Sequence, residues 1–191
     1  MKLWRVNYSK SYRRLDDHGP LFVPAQLYNP YHYSNKFESV DLISAKFVYS
    51  PAEASLPVGD FVPAIPSVLI FNEKVKNEIS GLISGTGRQF KIRIEDSMFD
   101  IFFSTVELNV LCFDSSEYTL TSHKNPRFRN ISKIAVDVSG TKAPAVFRLA
   151  GDPLLRLQLI VSDEFKKKCE NCDLTGLDFE EVIVLDQSPA G

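Results

Sequence analysis

The chain has 191 residues and a formal net charge of −2, so it can bury one core and has no overall field to recruit nucleic acid or a membrane surface. A hydrophobic fraction of 44% and an aromatic fraction of 12% exclude an intrinsically disordered chain. The N-terminus lacks the apolar core of a signal peptide, no run reaches the roughly 18 apolar residues of a membrane span, and the three cysteines form no disulfide framework. We expect a cytoplasmic protein without cofactor or metal.

The first predicted element is a strand within residues 1–8, where apolar and polar residues alternate. Prolines then recur from residue 20 to residue 66, where they remove backbone donors and prevent long regular elements. We predict that residues 1–65 wrap around a core formed by residues 66–185, within a single domain of residues 1–191.

Aromatic side chains are concentrated in the segment 28–33 of this N-terminal part. Tyr31 and Tyr33 are candidate partner-binding residues, because tyrosine provides rigid contact area at a low entropic cost. The alternative is a loop whose rings cover the core, and the sequence does not choose between the two.

A strand–helix–strand unit is predicted near residues 68–95. Three apolar residues, 69–71, suit a buried strand, and Asn72 is a favourable N-cap for the helix that follows. Val75 and Ile79 lie four residues apart, as on the buried face of a helix. A strand pattern returns at Phe90.

The next segments are rich in β-forming residues. Residues 90–95 and 99–104 are predicted to form a hairpin through a turn at 96–98, and residues 106–113 are expected to continue that sheet. Residues 115–130 are polar and predict a long loop or a weak strand. Further short strands are expected at 131–138 and 146–149.

A second unit, near residues 157–185, repeats the pattern of the first. The apolar residues 159–161 precede Ser162, which is another favourable N-cap, and Phe165 and Cys169 are spaced as a buried helical face. The fold class predicted from these elements is α+β: a strand-rich single domain with a mixed, mainly antiparallel sheet and two similar strand–helix–strand units.

Two cysteines, Cys169 and Cys172, have the spacing of half a zinc site or a redox motif. A zinc site needs two further ligands, and only Cys112 and three scattered histidines remain. A redox motif belongs at a helix start, whereas this pair follows a helix, whose negative end raises a thiol pKa. We therefore predict that Cys169 packs in the core and that Cys172 lies in the turn.

Carboxylates are clustered at two places, around the predicted hairpin and along the last strand. Paired carboxylates can perform acid–base chemistry with a histidine, here His32 or His123, which would indicate a small hydrolase or nuclease. Surface acids that discourage edge-to-edge pairing are the commoner explanation. The residues are Glu95, Asp96, Asp100, Asp178, Glu180 and Glu181.

Several short segments between residues 66 and 185 follow one another in a distinctive order. They are Pro66–Glu73, Phe90, Val106–Leu111, Phe147–Leu149, Leu159–Phe165 and Leu174–Val182. In this order they resemble a bacterial immunity-protein family that is named after a myxobacterial member and was formerly a domain of unknown function. Its members are encoded beside polymorphic toxins, including toxins delivered by contact or by type VI secretion.

The resemblance implies a cytoplasmic antitoxin, not an enzyme, that binds a cognate toxin and blocks it stoichiometrically. It supplies no catalytic residue. It implies structural roles for the motif residues: Ser162 caps a helix, Gly176 permits a turn, and Leu177 and Phe179 pack. The family pattern does not locate the toxin-facing surface.

If the toxin is a nuclease with a basic cleft, the six carboxylates could form an acidic patch that steers association, with Tyr31 and Tyr33 as anchors. This hypothesis assumes that the hairpin and the last strand share one face. We expect no direct contact with nucleic acid and a monomer or a homodimer. A regulatory or scaffold module that binds a non-toxin protein is the remaining alternative.

Overall fold

The computed structural model describes residues 1–16, 47–64, 66–121 and 127–185. Within these ranges the fold is α+β and strand-rich, as predicted, with a mixed six-stranded sheet and two smaller antiparallel sheets. The strands are β1 (Leu3–Tyr8), β2 (Val68–Phe71), β3 (Gly87–Ile94), β4 (Ser97–Ser104), β5 (Glu107–Leu108), β6 (Glu117–Leu120), β7 (Phe128–Lys133), β8 (Ala135–Val136), β9 (Val146–Leu149), β10 (Leu159–Ser162) and β11 (Leu177–Val184). The helices are α1 (Glu73–Ile83), α2 (Pro153–Arg156) and α3 (Asp163–Asn171), with 3-10 turns at Pro51–Glu53 and Phe113–Ser115.

The first predicted unit forms the three-stranded sheet, in the order β2-β4-β3. Both outer strands are antiparallel to β4, and α1 connects them. The turn between β3 and β4 is one residue earlier and shorter than expected, because Ile94 pairs with Ser97 and leaves only Glu95 and Asp96 between the strands. Glu95 has a φ of 50°, and a positive φ at the first central residue is a feature of tight hairpin turns.

The second predicted unit has the same arrangement inside the six-stranded sheet, whose order is β5-β9-β10-β1-β11-β8. Strands β10 and β11 flank β1, both antiparallel to it, and α3 connects them. Each unit is thus a strand–helix–strand connection around a third, central strand. In the first unit β4 follows directly along the chain, whereas in the second the central strand comes from the N-terminus.

This placement of β1 refines the expectation for the N-terminal part. Residues 1–65 were expected to wrap the core, but Leu3–Tyr8 lies inside the sheet and Leu3 is fully buried. Other described residues of this part do cover the core: Leu15, Phe47 and Val62 pack on one face of the three-stranded sheet.

The helices of the two units, α1 and α3, begin as the sequence predicts. The Asn72 side chain accepts a hydrogen bond from the Val75 amide at 3.1 Å, and Ser162 accepts one from the Phe165 amide at 3.2 Å. Because these bonds satisfy amides that have no partner within the helix, they define where α1 and α3 start.

The two units meet in one apolar cluster. It joins Phe71 and Phe102 from the three-stranded sheet, Ile79 from α1, Val161 from the six-stranded sheet and Phe165 from α3. The opposite face of the six-stranded sheet packs in a separate cluster. The six-stranded sheet is therefore covered on both faces, and the shared cluster holds the two units together.

One expectation for the middle of the chain is wrong, and another is decided between its two alternatives. Residues 106–113 do not continue the β3–β4 sheet, since Glu107 and Leu108 pair in parallel with β9 of the six-stranded sheet. For residues 115–130, where a long loop or a weak strand was predicted, the described residues include the four-residue strand β6, which pairs with β7 in an antiparallel hairpin. The longest helix in the described ranges, α1, has 11 residues, against the roughly 20 that a bilayer core requires.

Candidate functional site

Thr175, in the last of the segments that carry the family resemblance (Leu174–Val182), joins the two units. The Thr175 hydroxyl and amide both donate to a carboxylate oxygen of Asp60 at 3.0 Å, and the Asp60 amide donates to the Thr175 hydroxyl at 3.0 Å. Asn72 and Lys74, at the start of α1, also donate to Asp60. Burial of Asp60 opposes ionisation, but these hydrogen bonds outweigh it and hold the Asp60 pKa below its usual value.

Gly176 is required by the close approach of two backbone segments. Its φ is 104°, and a Cβ at this position would lie 2.2 Å from the Phe61 carbonyl oxygen. The neighbouring Leu177 and Phe179 pack against the shared apolar cluster. The residues from Thr175 to Phe179 therefore stabilise the contact between the two units.

The acidic residues of the β3–β4 hairpin occupy two different environments. Glu95 and Asp96 form the exposed turn. Asp100, by contrast, has a side chain only 3% exposed, and it accepts hydrogen bonds from Lys91 and Gln89, each at 2.7 Å. Asp100 is thus a buried carboxylate that is paired with Lys91, and it is not available on the surface.

The acidic residues of β11 do not form one patch either. Glu180 and Glu181 are consecutive in a strand, so their side chains project to opposite faces of the sheet. Glu180 is hydrogen-bonded to Arg5, and Glu181 is paired with Lys2 at 3.3 Å. Asp178 is exposed on the Glu180 side of the strand. The assumption that all six carboxylates share a face is therefore wrong.

Several other candidates lie outside the described residues: Tyr31, Tyr33 and the histidines at 18, 32 and 123. Convergence of His32 or His123 with carboxylates, which the hydrolase alternative requires, therefore stays a prediction. Among the residues that are described, no group of three or more histidines, cysteines and carboxylates is arranged to hold a metal ion.

The cysteine pair at the end of α3 has the predicted placement. Cys169 is 2% exposed, and burial raises its pKa to about 12. Cys172 is the C-cap residue and donates to the Glu78 carboxylate at 3.3 Å, which raises its pKa. Since a thiolate is the reactive form, both thiols are in environments that suppress reactivity.

A groove of about 770 Å³ separates α1 from the start of α3. Its charges neutralise one another: Lys168 pairs with Glu78 at 2.6 Å, and Lys167 pairs with Asp163 at 2.7 Å. Of the charged residues that line the groove, only Glu164 is outside these two pairs. It is lined by Glu78, Gly81, Leu82, Asp163, Glu164, Lys167, Lys168 and Asn171.

Three aromatic rings are in mutual contact at the β6–β7 hairpin: Tyr118 and Phe128 from its strands and Phe113 from the 3-10 turn that precedes β6. Phe113 stacks on Phe128 with ring centroids 6.0 Å apart, and Tyr118 meets both rings edge-on at 6.1 Å and 5.1 Å. Phe113 is 49% exposed, and Leu120 on β6 is 46% exposed. Aromatic side chains dominate the contact area of protein interfaces, so this aromatic cluster is a candidate binding surface.

Two of the three rings, Tyr118 and Phe128, are held in place by packing against the core. Tyr118 and Phe128 are half-buried against the apolar cluster on the outer face of the six-stranded sheet, and Ile131 of β7 is part of that cluster. The prediction of a long loop or a weak strand at 115–130 did not identify this surface. A signal was present: Tyr118 and Leu120 alternate with polar residues, as a half-buried strand requires.

No protein-family model matches the chain, and no curated protein has significant sequence similarity to it.

Proposed function

We propose that the protein is an immunity protein that binds and neutralises a cognate polymorphic toxin by stoichiometric occlusion. The observation that carries this proposal is the aromatic cluster of Phe113, Tyr118 and Phe128, of which Phe113 is half exposed. Three rings in mutual contact form a larger apolar surface than a single exposed side chain, and burying the exposed half of Phe113 on binding contributes about 1 kcal/mol.

The motif residues support the same proposal. The resemblance to an immunity family implies structural roles for Ser162, Gly176, Leu177 and Phe179. Ser162 caps α3, Gly176 lies against Phe61, and the other two pack between the units. A scaffold whose recurrent residues stabilise the fold leaves its surface free to vary with the partner, as a family of specific inhibitors requires.

In this proposal the protein acts in the cytoplasm, where it meets a toxin delivered by contact or by type VI secretion before the toxin reaches its target. The inhibitor need not be an enzyme, because a tight one-to-one complex that covers the toxin's active site is sufficient. Such an interface typically buries about 800 Å² per partner, with its energy concentrated in a few aromatic and arginine side chains.

The test is a co-expression rescue with the toxin encoded beside this gene. The toxin domain is induced in a sensitive host with and without this protein, and the complex is then isolated through a tag on the toxin. We expect restored growth and a stable complex of equal stoichiometry. An unrelated protein of similar size, expressed to the same level, is the control.

The absence of both rescue and binding, with both proteins shown to be folded, would contradict the proposal. Rescue without a detectable complex would contradict stoichiometric occlusion in particular, since it would indicate that the protein acts on the toxin's target or product. Titration of the toxin's activity with purified protein then separates these cases, because occlusion abolishes activity at an equimolar ratio.

A further inference from the structure

The segment 106–112, which follows β4 and contains β5, lies between the two edges of the six-stranded sheet. Its first part pairs in parallel with β9 at one edge, and Leu111 forms an antiparallel bridge with Val136 of β8 at the other edge. Each strand of this sheet therefore has a neighbour on both sides, so the sheet closes into a six-stranded barrel. We call residues 106–112 the closing segment. Across its two seams the amides of Arg148, Ala150, Cys112 and Asp137 donate, each at 2.9 Å, to the carbonyl oxygens of Val106, Leu108, Ala135 and Val110 respectively.

The side chains of the closing segment alternate as those of a barrel strand do. Val106, Leu108 and Val110 are two residues apart, and all three pack against the apolar cluster that contains Leu3 of β1 and Phe147 of β9. That cluster lies on the face of the sheet that points away from the three-stranded sheet, and closure makes it the interior of the barrel. The closing segment is therefore part of the barrel wall.

Glu107 fastens the closing segment to its surroundings by charge. Its Oε1 is 3.1 Å from Nη2 of Arg148 on β9, and its Oε2 is 3.5 Å from Nε of Arg156 on α2. The side chains of Glu107 and Arg148 are only 13% and 11% exposed. Removing one partner of a buried ion pair leaves the other desolvated without its opposite charge, which costs more than the same change at the surface. Glu107 therefore connects the closing segment both to β9 and to α2.

The backbone pairing of the closing segment is short. β1 and β11 pair over the full length of Leu3–Tyr8. Among the described residues, the closing segment pairs with β9 only at Glu107 and Leu108, and with β8 only at Leu111. Local opening of a native protein begins where few hydrogen bonds and few buried contacts must be broken. Release of this segment leaves β1 paired with β10 and β11 on its two sides.

We propose that the closing segment is a latch, which opens as one unit while the rest of the domain stays folded and which the charge of Glu107 holds closed. Opening exposes the paired edges of β9 and β8. It also removes the support of Phe113, which follows the segment directly. The Ser116 hydroxyl donates to the Cys112 carbonyl oxygen at 2.7 Å and accepts from the Ala135 amide at 3.0 Å, so the turn that carries Phe113 is tied to the same seam. The aromatic cluster is therefore complete only when the segment is closed.

Native-state hydrogen exchange of the full chain, followed by NMR at urea concentrations below the unfolding transition, measures this opening. The seam amides, at positions 112, 137, 148 and 150, are expected to share one free energy of opening and to be protected about tenfold less than the β1 amides, which need global unfolding. Their exchange should also depend less on urea, because opening exposes less surface than unfolding. The toxin takes no part in this experiment, so its result is independent of the proposed function.

Two variants separate the latch from general stability. Glu107→Gln keeps the size of the side chain and removes its charge, and the ion pairs it removes are absent from the open state and from the unfolded state alike. The seam amides and the β1 amides should therefore both exchange about tenfold faster in this variant. Ser162→Ala removes the cap of α3, which stays folded when the segment opens. It should accelerate the β1 amides and leave the seam amides unchanged.

A disulfide across one seam tests the latch without a destabilised variant. Leu111 and Val136 are a non-hydrogen-bonded antiparallel pair, in which the Cα atoms are close enough for a disulfide. Leu111→Cys combined with Val136→Cys, in a Cys112→Ser background, should slow exchange at all the seam amides when oxidised. The reduced form of the same protein is the control.

Seam amides that exchange together with the β1 amides, with the same urea dependence, would show that the barrel opens only by global unfolding and would overturn the proposal. Equal acceleration of both groups by Ser162→Ala would do the same. If Glu107→Gln accelerates only the β1 amides, Glu107 remains paired during opening and is not what holds the segment. If the oxidised disulfide protects positions 112 and 137 but not 148 and 150, the two seams open separately and there is no single latch.

Discussion

Asn72 and Ser162 occupy equivalent positions in the two units, each accepting a hydrogen bond from the amide three residues further along, at 3.1 Å and 3.2 Å. The equivalence is incomplete, because the Asn72 side chain also donates to Asp60 at 2.9 Å. Asn72 thus caps α1 and ties it to the joint between the units, whereas Ser162 only caps α3.

Substitution of the two caps should therefore have unequal effects. Ser162→Ala is expected to lower the free energy of unfolding by about 1 kcal/mol, and Asn72→Ala by about 2 kcal/mol because it removes a second hydrogen bond. Urea denaturation measures both. Asn77→Ala, at an exposed position inside α1, should be neutral or slightly stabilising. Equal losses at Asn72 and Ser162 would show that the bond to Asp60 contributes little.

Asp60 should make the stability depend on pH. Asp60→Ala is expected to lower the free energy of unfolding at pH 7 by about 2 kcal/mol, because it leaves the partly buried donors of Thr175 and Asn72 without an acceptor. The folded-state pKa of Asp60 lies below the unfolded value of about 3.9, so its contribution is present above pH 4 and disappears as the pH falls through the folded-state pKa. The gap between wild type and variant should therefore narrow in acid.

The measurement for Asp60 is urea denaturation between pH 2.5 and pH 7, performed on wild type and variant together. Asp137→Ala is the control, since the Asp137 pKa is also lowered, by hydrogen bonds from Ser139, but at the surface and without a link between elements. That variant should barely change the stability at pH 7. A gap for Asp60→Ala that is constant with pH would contradict the role of its ionised form.

Gly176→Ala should be among the most destabilising single substitutions. The φ of 104° is strained for alanine, and the added Cβ would lie 2.2 Å from the Phe61 carbonyl oxygen. We expect a loss of roughly 3 kcal/mol or more. Gly140→Ala, where nothing lies within 4 Å of the added carbon, should have little effect in the same thermal denaturation experiment. A mild effect at Gly176 would mean that the backbone at Phe61 yields easily.

Glu78 should control the reactivity of Cys172. The hydrogen bond with Glu78 is the largest cause of the raised Cys172 pKa, and Lys168 opposes it. Glu78→Gln is therefore expected to lower this pKa and to accelerate labelling of Cys172 by a thiol reagent at pH 8. Glu73→Gln, at the first residue of α1, should not change the rate at which Cys172 is labelled. Mass spectrometry of labelled peptides identifies the site, and Cys169 should remain unlabelled in the folded protein.

Local patterns were sufficient to find the two units. A cap, an acidic first turn and apolar residues four apart all lie within a dozen positions, and Val75, Ile79, Phe165 and Cys169 are buried as predicted. The pairing of distant strands has no such local signal. Residues 106–113 contribute only the two-residue strand β5, and its choice of β9 depends on where a sheet edge lies after folding.

The environment of Asp100 shows how little the sequence predicts about the surroundings of an individual side chain. Its carboxylate looked like one of a surface cluster, but it is buried because Lys91 lies opposite it in the hairpin and Lys76 approaches from α1. Phe102, two residues further along and therefore on the same face of the strand, is apolar and buried, and this was a usable signal. The lysine of α1 could be placed only after packing.

The strand order of the second unit means that β11 and β1 lie side by side, antiparallel and without a connecting turn, whereas the equivalent β3 and β4 are joined through Glu95 and Asp96. The two units are thus related by a circular permutation. A chain whose ends are joined by a short linker and which is opened between Glu95 and Asp96 would exchange their roles. The second unit would then contain only local contacts, whereas β4, the central strand of the first unit, would be made first and would have to wait for β2, α1 and β3 until the whole chain had been made.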